Sequence, residues 1–329
     1  MKSAAAIVRS LAMAVAIGTA LLSAPAYADQ PPTIPRIGAL VPPPANSAVE
    51  VSLRDALREL GYIEGKNILI DWQRFAGTVE ETRPYVAHLL RSKVDLIAIY
   101  GTPASRAALD ATKTVPVVFV SGDPIGTGLA ASLARPGGNA TGVSTLSPEL
   151  IAKRLEFLRL VAPRARRIVY LMNSSNPNSA PIFEGAQRAA KTLGVQLVKL
   201  DARNAAEVRA ALHAIRPSAA EAVLVTGDNL FVVHKADIAR AVRRARLPAM
   251  FPWREDHDAG VLMSYGPSIK EMMRHMAVYV EKILRGAQPA DLPIEQLSKY
   301  DLIINLREAH ALGINVPQAL FLLADEVIQ

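Results

Sequence analysis

Short apolar runs alternate with amphipathic helical patterns along most of the chain, and this alternation constrains the fold more than any other feature. The apolar runs at 94–100 and 115–120 suit buried strands, and the pattern at 104–112 between them suits a helix. Apolar runs of this length that are separated by helices indicate βαβ units, in which parallel strands carry helices on both faces. The sequence therefore predicts an α/β fold with doubly wound parallel sheets.

The alternation is broken once and then restarts. Residues 135–139 read Arg-Pro-Gly-Gly-Asn, which is typical of turns, and a new helix is predicted to open at Ser147-Pro148. At 329 residues, the chain is also longer than one compact core usually holds. We therefore predict two lobes whose strand ends face one cleft, joined by a hinge that lets them close over a small ligand.

Residues 1–28 have the pattern of an export signal. A positively charged start precedes an apolar run at 11–22, and residues 26–28 form a small-x-small cleavage motif. The apolar run is shorter than the roughly 20 residues that a membrane-spanning helix needs. A cleaved signal peptide is therefore favoured over an uncleaved anchor, and we expect a soluble mature chain that starts near Asp29.

The composition narrows the compartment and the partners. The chain has no cysteine, which excludes disulfides, thiolate metal sites and the lipid-bearing cysteine of a lipoprotein. An exported chain without these features fits a free protein in the periplasm of a two-membrane bacterium. The net charge of +7 is scattered over predicted helix faces, where most basic residues stand beside acids, so we expect no nucleic-acid partner.

The first group of predicted ligand-binding residues surrounds the start of a helix that follows a strand. These residues are Tyr100, Gly101, Thr102 and Ala104. The free N–H groups and the positive dipole end of a helix start suit a carboxylate. The alternative is that Thr102 is only an N-cap, with Pro103 at the first helical position.

The second group of predicted ligand-binding residues follows other strands, and most of its polar members have a capping alternative. The group consists of Ser121, Asp123, Asn173, Ser174, Asn176, Asp228, Asn229 and Trp253. Asp228 can pair with an ammonium group of the ligand or cap the helix predicted at 230–245. Trp253 and Tyr100 can form apolar walls around a flat ligand, whereas a core position is the alternative for Trp253.

Motifs for catalysis and for metal binding are missing from the sequence. Residues 254–258 are dense in groups that bind hard metals, but the six histidines show no HExxH spacing. The glycines at 137–138 lack the GK[ST] ending of a phosphate loop, and no G-x-S-x-G nucleophile elbow occurs. We therefore expect no catalytic residues, no metal and no cofactor.

Four stretches of the chain carry a family resemblance. They read RDALRELGYIEGKNILI (54–70), GTPASRAAL (101–109), PVVFVSGDPIGTGLAASLARPGGNATGVS (116–144), and NLREAHALGINVP with ADEVIQ (305–317 and 324–329). In combination they resemble the periplasmic substrate-binding components of ABC importers, in the branch long labelled an uncharacterised transport system. The resemblance covers nearly all of the mature chain, and some members of the family bind tryptophan or tyrosine.

The resemblance implies a type I periplasmic-binding-protein fold with three crossovers between the lobes. On this basis lobe 1 comprises 29–144 and about 266–298, and lobe 2 comprises 145–265 and about 299–329. The resemblance also implies a small-molecule ligand and transient docking to an ABC permease in the inner membrane, and we expect a monomer.

We therefore predict a periplasmic solute-binding protein that delivers an amino acid, with aromatic ones favoured, or a related carboxylate to an ABC importer. One alternative is a binding protein that serves a sensor or receptor. Another is an exported hydrolase on a doubly wound fold. Neighbouring permease and ATPase genes would separate the first two functions, and turnover of a bound ligand would support the third.

Overall fold

The computed structural model describes residues 34–145 and 148–329, and Pro35–Gln329 form one compact unit. The strands of this unit form two sheets, one of six strands and one of seven. The two sheets, each covered by helices, confirm the predicted α/β fold with two lobes. The predicted signal peptide at 1–28 lies outside the described residues, as does the predicted helix start at Ser147.

The sheet of the first lobe is parallel throughout. Its strands are β1 (Arg36–Val41), β2 (Leu69–Arg74), β3 (Leu96–Tyr100), β4 (Val117–Ser121), β5 (Ala140–Ser144) and, from late in the chain, β11 (Glu295–Gln296). They are hydrogen-bonded in the order β11-β5-β4-β3-β1-β2. The lobe also contains the helices α1 (Ala48–Glu59), α2 (Val79–Arg91), α3 (Thr102–Ala111) and α9 (Ile269–Leu284), and a 3₁₀ turn at Pro289–Asp291.

The sheet of the second lobe is parallel except at its return strands. Its strands are β6 (Arg167–Met172), β7 (Gln196–Asp201), β8 (Ala222–Val225), β9 (Ala249–Phe251), β10 (Met263–Gly266), β12 (Asp301–Asn305) and β13 (Glu326–Ile328). Their order is β13-β12-β10-β9-β8-β6-β7, and β12 runs antiparallel to β10. The α-helices are α4 (Pro148–Val161), α5 (Ser179–Thr192), α6 (Ala205–Ala214), α7 (Asn229–Val233), α8 (Lys235–Ala245), α10 (Leu306–Leu312) and α11 (Gln318–Leu323), beside a 3₁₀ helix at Arg254–Ala259.

The central strands are apolar at every position because both faces of each sheet are covered. In β3, Ala98 and Tyr100 belong to the apolar cluster on one face, whereas Ile97 and Ile99 belong to the cluster on the other face. Two further clusters cover the faces of the second sheet in the same way. Continuous apolar runs are typical of such doubly covered parallel sheets. Among the described residues, no helix is both long and apolar enough to cross a membrane.

The structure also corrects one predicted helix. Sequence periodicity indicates a single helix at 230–245, but the chain forms α7 and α8 with His234 between them. The His234 backbone has φ −100° and ψ 12°, which interrupts the regular helix. The short α7 has Asp228 as its N-cap. A separate short helix therefore begins directly after β8, beside the strand ends.

The chain passes between the sheets at three places. It leaves the first sheet after β5, returns between β10 and α9, and leaves again between β11 and β12. The second passage is secured because α9 packs against α1, where Met272, Met273 and Met276 share an apolar cluster with Val49 and Leu53. The carboxyl ends of the parallel strands from both lobes therefore face the same space.

Candidate functional site

A cavity of about 350 Å³ lies between the two lobes at the carboxyl ends of their strands. Small-molecule sites commonly have volumes of roughly 300–1,000 Å³, so the cavity is large enough for a compact ligand. Nine of the twelve predicted ligand-binding residues line it. They are Tyr100, Gly101, Thr102, Ser121, Asn173, Asn176, Asp228, Asn229 and Trp253.

The other three predicted residues do not line the cavity. Ala104 is buried in an apolar cluster of the first lobe. Asp123 caps a turn, because its Oδ1 accepts a hydrogen bond from the Gly126 N–H at 2.8 Å. Ser174 donates its hydroxyl hydrogen to the Asp201 carboxylate at 2.5 Å. The local alternatives, core packing and loop hydrogen bonding, therefore describe these three side chains.

The wall from the first lobe presents hydroxyl groups and a helix start. The Thr102 and Ser121 hydroxyl oxygens are 2.7 Å apart, and Thr102 is 2% exposed. Helix α3 has Gly101 as its N-cap, with φ +111° and no side chain that caps the helix. Thr102 is therefore the first residue of the helix rather than its N-cap. The backbone donors of this turn receive no side-chain cap, which keeps the electropositive helix start at the cavity wall.

The wall from the second lobe contains the buried carboxylate of Asp228. Its Oδ1 accepts hydrogen bonds from the Leu230 N–H at 2.8 Å and from Asn173 Nδ2 at 3.2 Å. Its Oδ2 accepts one from Asn176 Nδ2 at 2.7 Å. Burial raises the pKa of Asp228, although these three neutral donors act in the opposite direction. Asp228 therefore caps α7 and also lines the cavity, where pairing with an ammonium group of the ligand stays a prediction.

Two asparagines of the second lobe reach across the cleft. Asn229 Nδ2 donates to the Tyr100 carbonyl oxygen at 3.0 Å. Asn178 donates through Nδ2 to the Thr102 hydroxyl, and its Oδ1 accepts from the Asp123 N–H at 3.1 Å. These bonds hold the lobes in direct contact beside the cavity.

Glycine is required where these asparagines arrive. A Cβ atom at Gly101 would lie 2.5 Å from Asn229 Nδ2, and one at Gly122 would lie 2.5 Å from Asn178 Nδ2. Both distances are too short for non-bonded atoms. The two glycines of the first lobe therefore make room for the two asparagines of the second.

Aromatic rings supply apolar surface to the cavity. Trp253 lines it while also packing against the apolar cluster on which α1 and α9 of the first lobe lie. The cavity and core positions proposed for Trp253 thus coexist. Phe75, which the sequence did not single out, also lines the cavity and stacks on Tyr85 with ring centroids 4.6 Å apart.

Sequence reasoning missed several polar residues of the cavity wall, among them Asn178 and Arg154. Asn178 precedes helix α5, where an asparagine is expected to cap the helix, yet its side chain is used across the cleft. Arg154 lies within the amphipathic helix α4, where an arginine normally faces water, yet it is buried in the cavity wall. No sequence signal distinguishes such a buried arginine from its exposed neighbours on the same helix.

The charged run at 254–258 has structural contacts. Glu255 accepts a hydrogen bond from the Ser268 hydroxyl at 2.7 Å, and Asp256 accepts one from the Trp253 N–H at 2.9 Å. Burial raises the pKa of Asp256 to about 7. Within 34–145 and 148–329, no group of three or more histidine or acidic side chains is arranged to hold a metal ion.

The family model of ABC transporter substrate-binding proteins matches residues 36–328, which is nearly the whole described chain. This protein belongs to that family. Membership implies a small-molecule ligand and a membrane permease as partner, and the family members are binding proteins rather than enzymes. A relative in this class is the tyrosine-binding protein of Clostridioides difficile (strain R20291), which is 27% identical over 270 residues, covering 82% of this chain and 77% of the relative.

The substrate-binding protein has a type I periplasmic-binding-protein fold, as its similarity to solved structures shows, and two of these structures are similar over nearly the whole described chain. A Streptococcus pneumoniae ABC domain in complex with L-Trp is 26% identical and superposes with a TM-score of 0.82, over 89% of this chain and 99% of that one. The ligand-free, open structure of the Clostridium difficile protein CD0873 is 25% identical, covers 90% and 100% of the two chains, and gives a TM-score of only 0.62.

Proposed function

We propose that the protein is an exported, monomeric solute-binding protein that carries an amino acid, with aromatic ones favoured, to an ABC importer. The observation that carries this proposal is the opposition of two sites across one cavity. The first lobe contributes a helix start at Gly101 and Thr102, and the second contributes the buried carboxylate of Asp228. An α-amino acid carries one group for each.

Charge complementarity supports the assignment of the two sites. A desolvated ammonium group needs an acceptor, and Asp228 has no basic partner among the described residues. A desolvated carboxylate needs donors, which the N–H groups at the helix start and the hydroxyls of Thr102 and Ser121 offer. A ligand held in this way would connect the lobes and favour their closure.

The preference for an aromatic side chain rests on the apolar part of the cavity wall and on the relatives. Tyr100, Phe75 and Trp253 all line the cavity. Their rings suit a flat ligand, because aromatic pairs favour offset or edge-to-face contacts. The C. difficile relative is a tyrosine-binding protein, and the S. pneumoniae structure contains L-Trp. Both names refer to aromatic amino acids, which supports the proposed ligand class.

The ligand can be identified without assuming its class. Mass spectrometry of small molecules released by unfolding the purified protein should detect tyrosine, tryptophan or a close analogue. A thermal-shift screen of amino acids, sugars and metal ions should independently show stabilisation by aromatic amino acids. Stabilisation by sugars or metals, without any by amino acids, would refute the proposed ligand class.

Export and the absence of turnover have separate tests. We expect the amino terminus of the periplasmic protein to begin at Asp29, as determined by N-terminal sequencing, and a mature product that begins at Met1 would contradict export. The ligand recovered after prolonged incubation should be chemically unchanged. Its hydrolysis would favour the exported hydrolase instead.

A further inference from the structure

Arg154 is a buried cation in the cavity wall that forms no ion pair among the described side chains, although the Asp256 carboxylate acts on it through space to raise its pKa. It extends from helix α4 of the second lobe and is 7% exposed. Its Nε donates to the Tyr265 carbonyl oxygen at 2.7 Å, and its Nη2 donates to the Pro252 carbonyl oxygen at 2.9 Å. Among the side chains that the structure describes, which exclude those of residues 146–149, no carboxylate lies within ion-pair distance of its guanidinium. Two neutral carbonyl groups thus hold a full positive charge.

Burying a charge that has no ion-pair partner costs free energy, so such a charge in a cavity wall indicates a partner from outside the chain. Burial lowers the pKa of Arg154 to about 10, so the guanidinium remains charged at neutral pH. Buried guanidinium groups are normally paired with carboxylates, often through two parallel hydrogen bonds. In a cavity that binds ligands, the missing carboxylate can be supplied by the ligand.

The guanidinium is also directed by its surroundings. Nε and Nη2 are occupied by the two carbonyl groups, whereas Nη1 has no hydrogen-bond partner among the described residues. A Cβ atom at Gly266 would lie 2.9 Å from Nη2 and 1.8 Å from the Pro252 carbonyl oxygen. Glycine at 266 therefore allows the guanidinium to reach this place. Gly266 is the last residue of β10, directly before the chain passes into the first lobe.

We propose that Arg154 binds a carboxylate of the ligand through Nη1 and thereby connects occupancy of the cavity to the chain passage after Gly266. This inference rests on the proposed function, because it requires a ligand in the same cavity. It adds a donor from the second lobe for a ligand carboxylate, in addition to the helix start at Thr102 to which the proposed function assigns the α-carboxylate. Asp228 follows β8 and Arg154 contacts the ends of β9 and β10, so the second lobe offers one negative and one positive group at neighbouring strand ends.

The carboxylate has two chemical sources, which are the α-carboxylate of any amino acid and the side chain of an acidic one. Isothermal titration with L-tyrosine, L-tryptophan, their α-carboxamides, L-glutamate and L-aspartate distinguishes them. If Arg154 binds the α-carboxylate, the aromatic amino acids bind and their α-carboxamides bind more weakly. If Arg154 binds a side-chain carboxylate, the acidic amino acids bind more tightly than the aromatic ones.

The decisive experiment is a double-mutant cycle between Arg154 and the ligand carboxylate. We expect Arg154→Gln to weaken binding of the carboxylate ligand by at least ~10-fold, the usual scale of a hydrogen bond to a charged group. The penalty for replacing carboxylate by carboxamide should then largely disappear in the variant. Arg159→Gln is the matched control, because Arg159 lies on the same helix and also donates to two backbone carbonyl groups, at 2.8 and 2.6 Å, but does not line the cavity. Its amide penalty should equal that of the wild type.

Arg154→Lys covers the case in which Arg154→Gln does not fold. It keeps the positive charge but loses the fork of donors, so we expect an intermediate amide penalty. If Arg154→Lys has both the amide penalty and the affinity of the wild type for the carboxylate ligand, the guanidinium does not contact the carboxylate through Nη1, and the inference would be overturned.

The two proposals can fail separately. If the wild type binds 3-(4-hydroxyphenyl)propionate but no amino acid, and Arg154→Gln or Arg154→Lys weakens that binding, the amino-acid function is wrong and the role of Arg154 is supported. If no carboxylate compound binds to the wild type, both proposals are wrong. Binding of tyrosine with an unchanged amide penalty in the variants supports the function and refutes the role of Arg154.

Discussion

Glu50 in the first lobe and Asp228 in the second both carry buried carboxylates, and the surroundings of these two groups are opposite. Glu50 in helix α1 is 0% exposed and is bound by two arginines. Asp228 at the start of α7 is 7% exposed and is bound only by neutral donors. Both carboxylates are thus buried, but two arginines of the chain neutralise the charge of Glu50. Asp228 has no basic partner among the described residues.

The pKa directions express this difference. Burial acts to raise the pKa of Glu50, but hydrogen bonds from Arg74 and Arg54 outweigh it and hold the pKa below 4.5. For Asp228 burial prevails over its hydrogen bonds, and the pKa is raised above 3.8. The comparison teaches that the charge of Glu50 is satisfied within the folded scaffold, whereas the charge of Asp228 is not, which supports the proposal that Asp228 receives the ammonium group of the ligand.

The largest expected effect is on ligand binding by Asp228→Asn. If Asp228 receives the ligand's ammonium group, the variant should weaken binding by about 2–5 kcal/mol, the usual scale for leaving one buried charge unpaired. Calorimetry with the ligand identified by mass spectrometry measures the change. Without ligand, stability should change little, because relief of the buried charge offsets the weakened bond to Asn176. Unchanged affinity would make Asp228 a helix cap alone.

The matching variant in the other lobe should have the opposite profile. Glu50→Gln should reduce the free energy of unfolding by roughly 2–4 kcal/mol, because it leaves two arginines without their shared acid. This is below the usual value for a completely buried pair, since the side chains of Arg54 and Arg74 are 30% and 33% exposed. Urea unfolding measures the loss, and ligand affinity should not change. If Glu50→Gln alters affinity as strongly as Asp228→Asn, the contrast between scaffold and site fails.

Ligand-induced stabilisation distinguishes the two carboxylates in a single assay. A ligand that binds only the folded state stabilises it by about 2.7 kcal/mol at a concentration one hundred times its dissociation constant. At the concentration that achieves this in the wild type, Glu50→Gln should show the same increment on a lower baseline. Asp228→Asn should lose most of the increment. Equal increments in all three proteins would mean that neither carboxylate contacts the ligand.

The smallest expected effect is the pH dependence of ligand-free stability, for which the two carboxylates have opposite signs. The stabilisation by Glu50 is complete above its unfolded-state pKa and is lost as the pH falls through its lower native pKa. The burial penalty of Asp228 acts above its raised native pKa and is relieved as the pH falls toward 3.8. On acidification, the wild type should therefore lose its advantage over Glu50→Gln and gain relative to Asp228→Asn. Urea unfolding between pH 7 and pH 3 measures both differences, and slopes of the same sign would contradict the comparison.

The sequence alone predicted the class of fold and the rim of the site. Apolar runs such as 94–100 and 115–120 indicate doubly covered parallel strands, and such strands place their carboxyl ends at one edge of a sheet. Residues that follow those ends, including Ser121, Asn173 and Asp228, could therefore be expected near one another. The structure places all three in the cavity wall. The prediction that these residues lie near one another succeeds because it depends on local periodicity and on the order of strands and helices, both of which can be derived from the sequence.

Only the tertiary structure decided which polar side chains turn toward the cavity. Asp123 and Asp228 both follow strands and precede helical turns, yet one caps a turn away from the cavity and the other lies in its wall. Arg154 and Asn178 carry ordinary helix and capping patterns, and their roles arise from groups more than 70 residues away in sequence, as in the bonds to Pro252 and Thr102. Local patterns determine secondary structure because they depend on neighbours along the chain. The direction and charge state of a buried side chain depend on groups that only folding brings into contact, and these the sequence does not display.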